Sequence, residues 1–103
     1  MSKTYWVYIL KCSDGSFYTG STSDIEKRIS EHEKGLIKGY TSSRRPVKLV
    51  FSDFFEQVYD AISAERQIKG WRRAKKIALI KGDFDLLVKL SNEKNLKKDK
   101  ICV

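Results

Sequence analysis

The chain has 103 residues, the length of one domain, which argues against a second independent core. Hydrophobic residues at 41% and aromatics at 12%, with one Pro and six Gly, exclude a disordered or low-complexity chain. Lys plus Arg number 21 against 13 Asp plus Glu, a net charge of +8 that favours a polyanionic partner such as nucleic acid or an anionic membrane surface.

The longest uninterrupted apolar stretch, Tyr5 to Leu10, is six residues. A membrane span needs about twenty, and no basic region with an apolar run marks a signal peptide, so a soluble cytoplasmic protein is expected. Cys12 and Cys102 stand at opposite ends, without the local pairs of a zinc site or the density of a disulfide scaffold, and read as free thiols. With His32 the single histidine, a metal ion is expected on carboxylate rather than on Cys and His.

Thr4 to Cys12 is aromatic and β-branched and reads as a strand; Ser13 to Ser16 supplies turn chemistry, and Phe17 to Gly20 resumes a strand, giving a hairpin. Alternation along paired strands permits Tyr8 and Tyr18 to share one face. Ser23 three residues before Glu26 is a capping-box pattern, opening a helix over Asp24 to Lys34 with Ile25 and Ile29 as its buried stripe. Arg28 and His32, four apart, lie side by side along a neighbouring line of that helix. Gly35 to Pro46 is a basic loop.

Val47 to Phe55 is a third strand, with Val50, Phe51, Phe54 and Phe55 as bulk, and a helix follows from Gln57 to Lys69. Its apolar face, Val58, Ala61, Ile62 and Ile68, also contains Glu65, a carboxylate that needs a partner. Lys69 to Lys81 places six basic residues in thirteen around Trp71 and reads as a basic amphipathic helix. Phe84, Leu86, Leu87, Val88 and Leu90 are expected to finish the core. The arrangement is one domain over residues 1–90 and a polar basic tail over 91–103.

Two tyrosines on a hairpin, Arg28 and His32 on one helix and Glu65 on another suit phosphodiester chemistry. A carboxylate holds a divalent metal, an Arg neutralises phosphate oxygens, and a Tyr or His positions or deprotonates water. No Ser or Cys sits in an activated setting, and no phosphate-cradling Gly-rich motif is present. Each residue also has a plain structural reading. The tyrosines fit sheet packing, Arg28 a solvated charge, His32 a partner of the helix dipole and Glu65 a partly buried ion pair with a neighbouring Lys or Arg.

Trp6-Val7-Tyr8, ten residues to Tyr18-Thr19-Gly20, then Arg28, His32 and Glu65 in that order, resembles the GIY-YIG endonuclease superfamily. Within it the chain is similar to small stand-alone bacterial members through Tyr18-Thr19-Gly20-Ser21-Thr22, through the run from Tyr40 to Val50 and through Ala64 to Trp71. The resemblance covers residues 4–81. It implies an α/β fold, a small three-stranded, mainly antiparallel sheet flanked by helices. It implies catalytic roles for Tyr8, Tyr18, Arg28, His32 and Glu65, with Glu65 the sole protein carboxylate on Mg²⁺ or Mn²⁺, and hydrolysis leaving a 5′-phosphate and a 3′-hydroxyl. Trp6 and Val7 replace Gly and Ile of the first triplet and Thr19 replaces Ile of the second, changes that bear on packing more than on chemistry. The asparagine many members carry after the metal helix has only Asn92 and Asn95 to match it, both in the tail.

The expected activity is metal-dependent endonucleolytic hydrolysis of DNA, selective for branched, damaged or single-stranded structure rather than for sequence, in repair or recombination, by a monomer. Tyr40, Arg44, Arg45, Lys69, Trp71, Arg72, Arg73, Lys75 and Lys76 are the expected nucleic-acid contacts, mixing phosphate-seeking cations with stacking rings. Two rivals stand beside it. A non-catalytic nucleic-acid-binding module would keep the basic surface, and a basic domain docking on an acidic protein or membrane would explain the charge but not Glu65 in an apolar stripe.

Overall fold

A computed structural model describes residues 4–91 of the chain, so Asn92, Asn95, Cys102 and the tail lie outside the described residues. The chain divides into two compact units, Met1–Gly70 and Trp71–Val103. The first holds strands β1 (Tyr5–Lys11), β2 (Phe17–Thr22) and β3 (Lys48–Phe55) with helices α1 (Ile25–Glu33) and α2 (Val58–Lys69). The second holds α3 (Arg73–Lys81) and a helical stretch over residues 84–91.

The sheet is antiparallel throughout, in the order β2-β1-β3. Burial explains the unbroken apolar run read in β1. As the central strand it is covered on both faces, so Val7, Tyr8, Ile9 and Leu10 are all buried rather than alternately so. On one face Tyr8, Leu10, Cys12 and Val47 form a core cluster with Tyr18, Ile25 and Ile29 packed on it, which seats α1. From the other face α2 meets the sheet, where the Ser21 hydroxyl donates to Glu65. A bulge in β3 shifts the register between Ile9 and Leu10, from Ile9↔Phe51 to Leu10↔Leu49.

Several expectations are corrected by this geometry. The second strand runs on to Thr22, because β1 offers ladder partners up to Trp6↔Thr22. The cap of α1 is Asp24, not Ser23: its carboxylate accepts from the Lys27 amide, the usual Ncap-to-N3 bond. At the other end the Leu36 amide bonds to the Glu31 carbonyl and the Gly35 amide to that of His32, with Gly35 at φ 74°. This is a Schellman termination that a residue with a Cβ adopts poorly. The basic helix expected from Lys69 to Lys81 is instead interrupted at Gly70 to Arg72. Phe84, Leu86 and Val88, expected to finish the core, are exposed, as are Phe54 of β3 and Val58 of the α2 stripe.

Thr19 carries the cost of a polar atom in a strand interior. It is 3% exposed, and its hydroxyl has no hydrogen-bond partner among the described residues. A buried unsatisfied hydroxyl costs about 1–3 kcal/mol, so Thr19→Val, which keeps the shape and removes the hydroxyl, is expected to stabilise the chain by about 1 kcal/mol in urea denaturation.

Candidate active site

Tyr8 stands opposite Gly20 in the β1–β2 pairing, and alternation puts Tyr18 on the same face. The pairing makes a specific demand. A Cβ built on Gly20 would lie 2.5 Å from the Tyr8 hydroxyl oxygen and 2.7 Å from Cζ, so the phenol occupies the space a side chain would need. Held there, Tyr8 Oη lies 2.9 Å from His32 Nε2, on the last turn of α1, and His32 Nδ1 lies 2.8 Å from the Thr41 hydroxyl. All three residues are buried, at 2%, 1% and 2% exposure. A neutral imidazole has one donor and one acceptor nitrogen, so hydrogen bonds in this line share one direction, from Tyr8 to Thr41 or the reverse.

The electrostatics keep the line uncharged. Burial, reinforced by the Arg28 charge and opposed by Glu31, pushes the His32 pKa below its ordinary value. Burial, with Tyr18 beside it, pushes the Tyr8 phenol well above its own. The Arg28 charge acts on Tyr8 in the opposite sense, and those of Glu65 and Glu31 add to the rise. Arg28 itself borders an open cavity of about 280 Å³ lined by Thr22, Ser23, Asp24, Lys27, Glu31 and Ile37.

An aromatic stack continues outward. The rings of Tyr18 and His32 are 5.2 Å apart, Tyr40 stacks on Tyr18 at 6.2 Å, and the Arg44 guanidinium lies 3.9 Å over Tyr40. Arg44 is also bound to Asp14 in the hairpin turn at 3.1 Å and to the Tyr40 carbonyl at 2.9 Å. It therefore ties the turn to the loop, with its charge already partnered. Arg45 lies against Gly35 and donates to the Ser42 carbonyl. Among the other expected nucleic-acid contacts, Trp71, Arg72, Arg73, Lys75 and Lys76 belong to the second unit, where Lys75 Nζ sits 4.2 Å over the Trp71 ring. Burial pushes the Lys76 pKa down.

Glu65 approaches from α2, the side of β2 that bears Ser21 rather than Tyr18 and Gly20. Glu65 and the Tyr8–Tyr18 pair thus lie on opposite faces of the hairpin. The Ser21 hydroxyl donates to Glu65 Oε1, and Lys69 Nζ lies 2.6 Å from Oε2. Burial works against ionisation of Glu65, but the bonds from Lys69 and Ser21 and the charges of Lys69 and Arg66 outweigh it and hold the carboxyl below its ordinary pKa. The ion pair expected for a carboxylate in an apolar stripe is thus present. Among the described residues no group of three or more His, Cys, Asp or Glu is placed to hold a metal.

The structure brings Tyr8, Tyr18 and His32 into contact, whereas Arg28 lies at the cavity beside α1 and Glu65 is paired with Ser21 and Lys69 on the other face of the sheet. Two residues of the cluster were not singled out from the sequence. Thr41 and Ser21 both lie inside stretches that carry the resemblance, Tyr40 to Val50 and Tyr18 to Thr22, and small hydroxyl residues there have no periodicity to announce them.

Comparison with known proteins decides the family. The model of the GIY-YIG catalytic domain matches residues 4–78. The chain belongs to the GIY-YIG family. Members of this family are typically nucleases, whose substrate is nucleic acid. A UPF0213 protein of Staphylococcus saprophyticus is 47% identical over 76 residues, covering 74% of this chain and 93% of that protein. One of Staphylococcus aureus is 45% identical over 78 residues, covering 76% and 95%. Among solved structures, a UPF0213 protein of Bacillus halodurans is 40% identical, with TM-score 0.52 over 76% of this chain and 83% of that one. A protein of E. faecalis is 38% identical, with TM-score 0.57 over 82% and 88%. This chain is thus similar to small GIY-YIG proteins along nearly their whole length. Among its described residues no helix is long and apolar enough to cross a membrane.

Two measurements probe the buried line. Gly20→Ala is expected to destabilise by about 1–3 kcal/mol in chemical denaturation, the cost of overpacking, with partial recovery when Tyr8→Phe removes the nearest atom. Because the His32 pKa is lowered on folding, the unfolded chain binds more protons just below its ordinary value of about 6.5, so stability falls with pH in that window. The Tm is expected to drop between pH 7.5 and 5.5, and His32→Gln to flatten that drop.

Proposed function

We propose that this GIY-YIG protein is a divalent-metal-dependent endonuclease that hydrolyses DNA phosphodiester bonds, selecting altered or branched structure rather than sequence. Such selection suits cytoplasmic DNA repair or recombination. The observation that carries the reading is the buried line Tyr8–His32–Thr41, whose phenol end is under the charges of Arg28 and Glu65. A sheet-packing tyrosine needs no such surroundings.

The residues divide the work. Arg28, on the rim of the open cavity, would carry the charge that builds on the phosphate oxygens in the transition state. His32, held neutral, is able to take a proton at one nitrogen while passing one from the other, and Tyr8 is the group it exchanges with. Tyr18, packed between a tilted His32 ring and the stacked ring of Tyr40, presents the second phenol. With its pKa raised, Tyr8 serves as a hydrogen-bonding phenol unless a positive charge near it favours its ionisation.

Glu65 fits a Mg²⁺ or Mn²⁺ ion by the chemistry of its oxygens: an ionised, hard carboxylate that already holds a cation, the Lys69 ammonium, on Oε2. Magnesium keeps several waters and accepts one or two carboxylates plus substrate phosphate, a demand that a single Glu meets. When bound, the ion would supply charge neutralisation at the scissile phosphate. Tyr40, Arg45 and the basic residues around Trp71 are the proposed backbone contacts. Lacking base-reading specificity, they would bind with strong salt dependence. The rival, a non-catalytic binding module, accounts for these cations, and the Lys69 ion pair accounts for Glu65, but it gives no reason for the buried phenol–imidazole pair.

Glu65→Gln tests the reading with least disturbance, because the amide keeps the shape and can accept from Ser21. In Mg²⁺ or Mn²⁺ with single-stranded, duplex and branched DNA, it is expected to lose at least about a hundredfold in cleavage while binding stays within a few-fold. Equal cleavage by variant and wild type would remove Glu65 from the site.

A further inference from the structure

In the cluster Ser21–Glu65–Lys69 the lysine expected to contact phosphate is instead bound to the carboxylate. We propose that Lys69 is the resident counter-ion of the metal site: its ammonium holds the place on Glu65 that a divalent ion takes, and vacates it when the ion binds. This rests on the reading of Glu65 as the metal-holding carboxylate.

The two oxygens of Glu65 are both engaged, Oε1 by the Ser21 hydroxyl and Oε2 by Lys69. An entering cation must therefore displace one of them, and their attachments are unequal. Ser21 has a short side chain on a hydrogen-bonded strand, in register with Val7, and its single rotatable bond carries the hydroxyl only a short way. Lys69 is the last residue of α2, its side chain is 52% exposed, and four rotatable bonds let its charge swing into water. The Glu65 side chain, at 19% exposure, stays where the apolar stripe holds it.

Charge gives the exchange its direction. A divalent ion and an ammonium on the same carboxylate oxygen repel each other, so occupancy by one lowers occupancy by the other. Without either, Glu65 would be a largely buried carboxylate with a single hydroxyl donor, an unfavourable charge to leave unpaired. Lys69 prevents that state at modest strength: an i,i+4 Glu-to-Lys pair with one partner half in solvent is a weak interaction, easily reversed. Its position at the C-terminal end of α2, where the helix dipole favours a cation, keeps it close after release. The expected phosphate contact at Lys69 is then a consequence of metal loading rather than a property of the metal-free chain.

The test is Mn²⁺ binding to the full chain without nucleic acid, followed by the electron paramagnetic resonance signal of free Mn²⁺, for wild type, Lys69→Met, Lys69→Arg and Glu65→Gln. Met matches Lys in helix propensity and leaves the exposed helix end intact, and circular dichroism checks this. Lys69→Met is expected to bind Mn²⁺ about two- to fivefold tighter, the size of a weak ion pair removed, and Lys69→Arg to bind as the wild type does. Unchanged or weaker binding by Lys69→Met, with binding lost in Glu65→Gln, overturns the role of Lys69 alone. Undiminished binding by Glu65→Gln overturns the reading of Glu65 beneath it.

Discussion

The seating of one aromatic ring governs the first unit of this chain. The end of the Tyr8 phenol fills the space where the side chain of residue 20 would be, and from that seat its hydroxyl reaches the imidazole of α1. Strand pairing brings Gly20 opposite, the α1 cap at Asp24 sets where the helix begins, and the Schellman turn at Gly35 sends the chain back so that Thr41 closes the line. A shift in any of these by one residue would turn the wrong group toward the phenol, since strand faces alternate and helix faces rotate with every residue. Local signals and tertiary contacts agree here, which is what lets three polar groups be buried without a charge among them.

Around that neutral line the ionised groups are kept at a distance. Arg28 and Glu65 act on Tyr8 with opposite sign from outside the hydrogen-bonded line, and neither bonds to it among the described contacts. The cluster thus combines a buried, neutral interior with a more exposed margin of charged groups. The division follows from the sheet: β2 is one strand wide at the edge, with α1 on one side and α2 on the other.

Much of this was legible in the residues. The hairpin, α1, the third strand and the α2 stripe follow from period and turn chemistry, and the oddity of Glu65 in an apolar face pointed to a partner, found in Lys69 and Ser21. What could not be read depends on contacts remote in sequence. Thr41 sits in a loop without periodicity, and only the fold brings it to His32, nine residues away in sequence. For His32 a helix-dipole partner and a catalytic group both stood open; its burial is decided by the aromatic rings of the hairpin that pack around it. Likewise Arg44 counted as a free cation until the hairpin turn supplied Asp14. The break at Gly70 was masked by the strong basic pattern on both sides of it, and the exposed apolar residues Phe84, Leu86 and Val88 show that hydrophobicity alone does not place a residue in the core.

Enclosure of the Tyr8–His32–Thr41 line has a further effect on what can be observed. Hydroxyl protons on surface side chains trade with solvent too fast to be seen as separate resonances, whereas protons locked between buried partners trade only when the surrounding structure opens. The shared protons of this line therefore act as intrinsic reporters, whose lifetimes register each transient opening of the loop over residues 35–46 without any label.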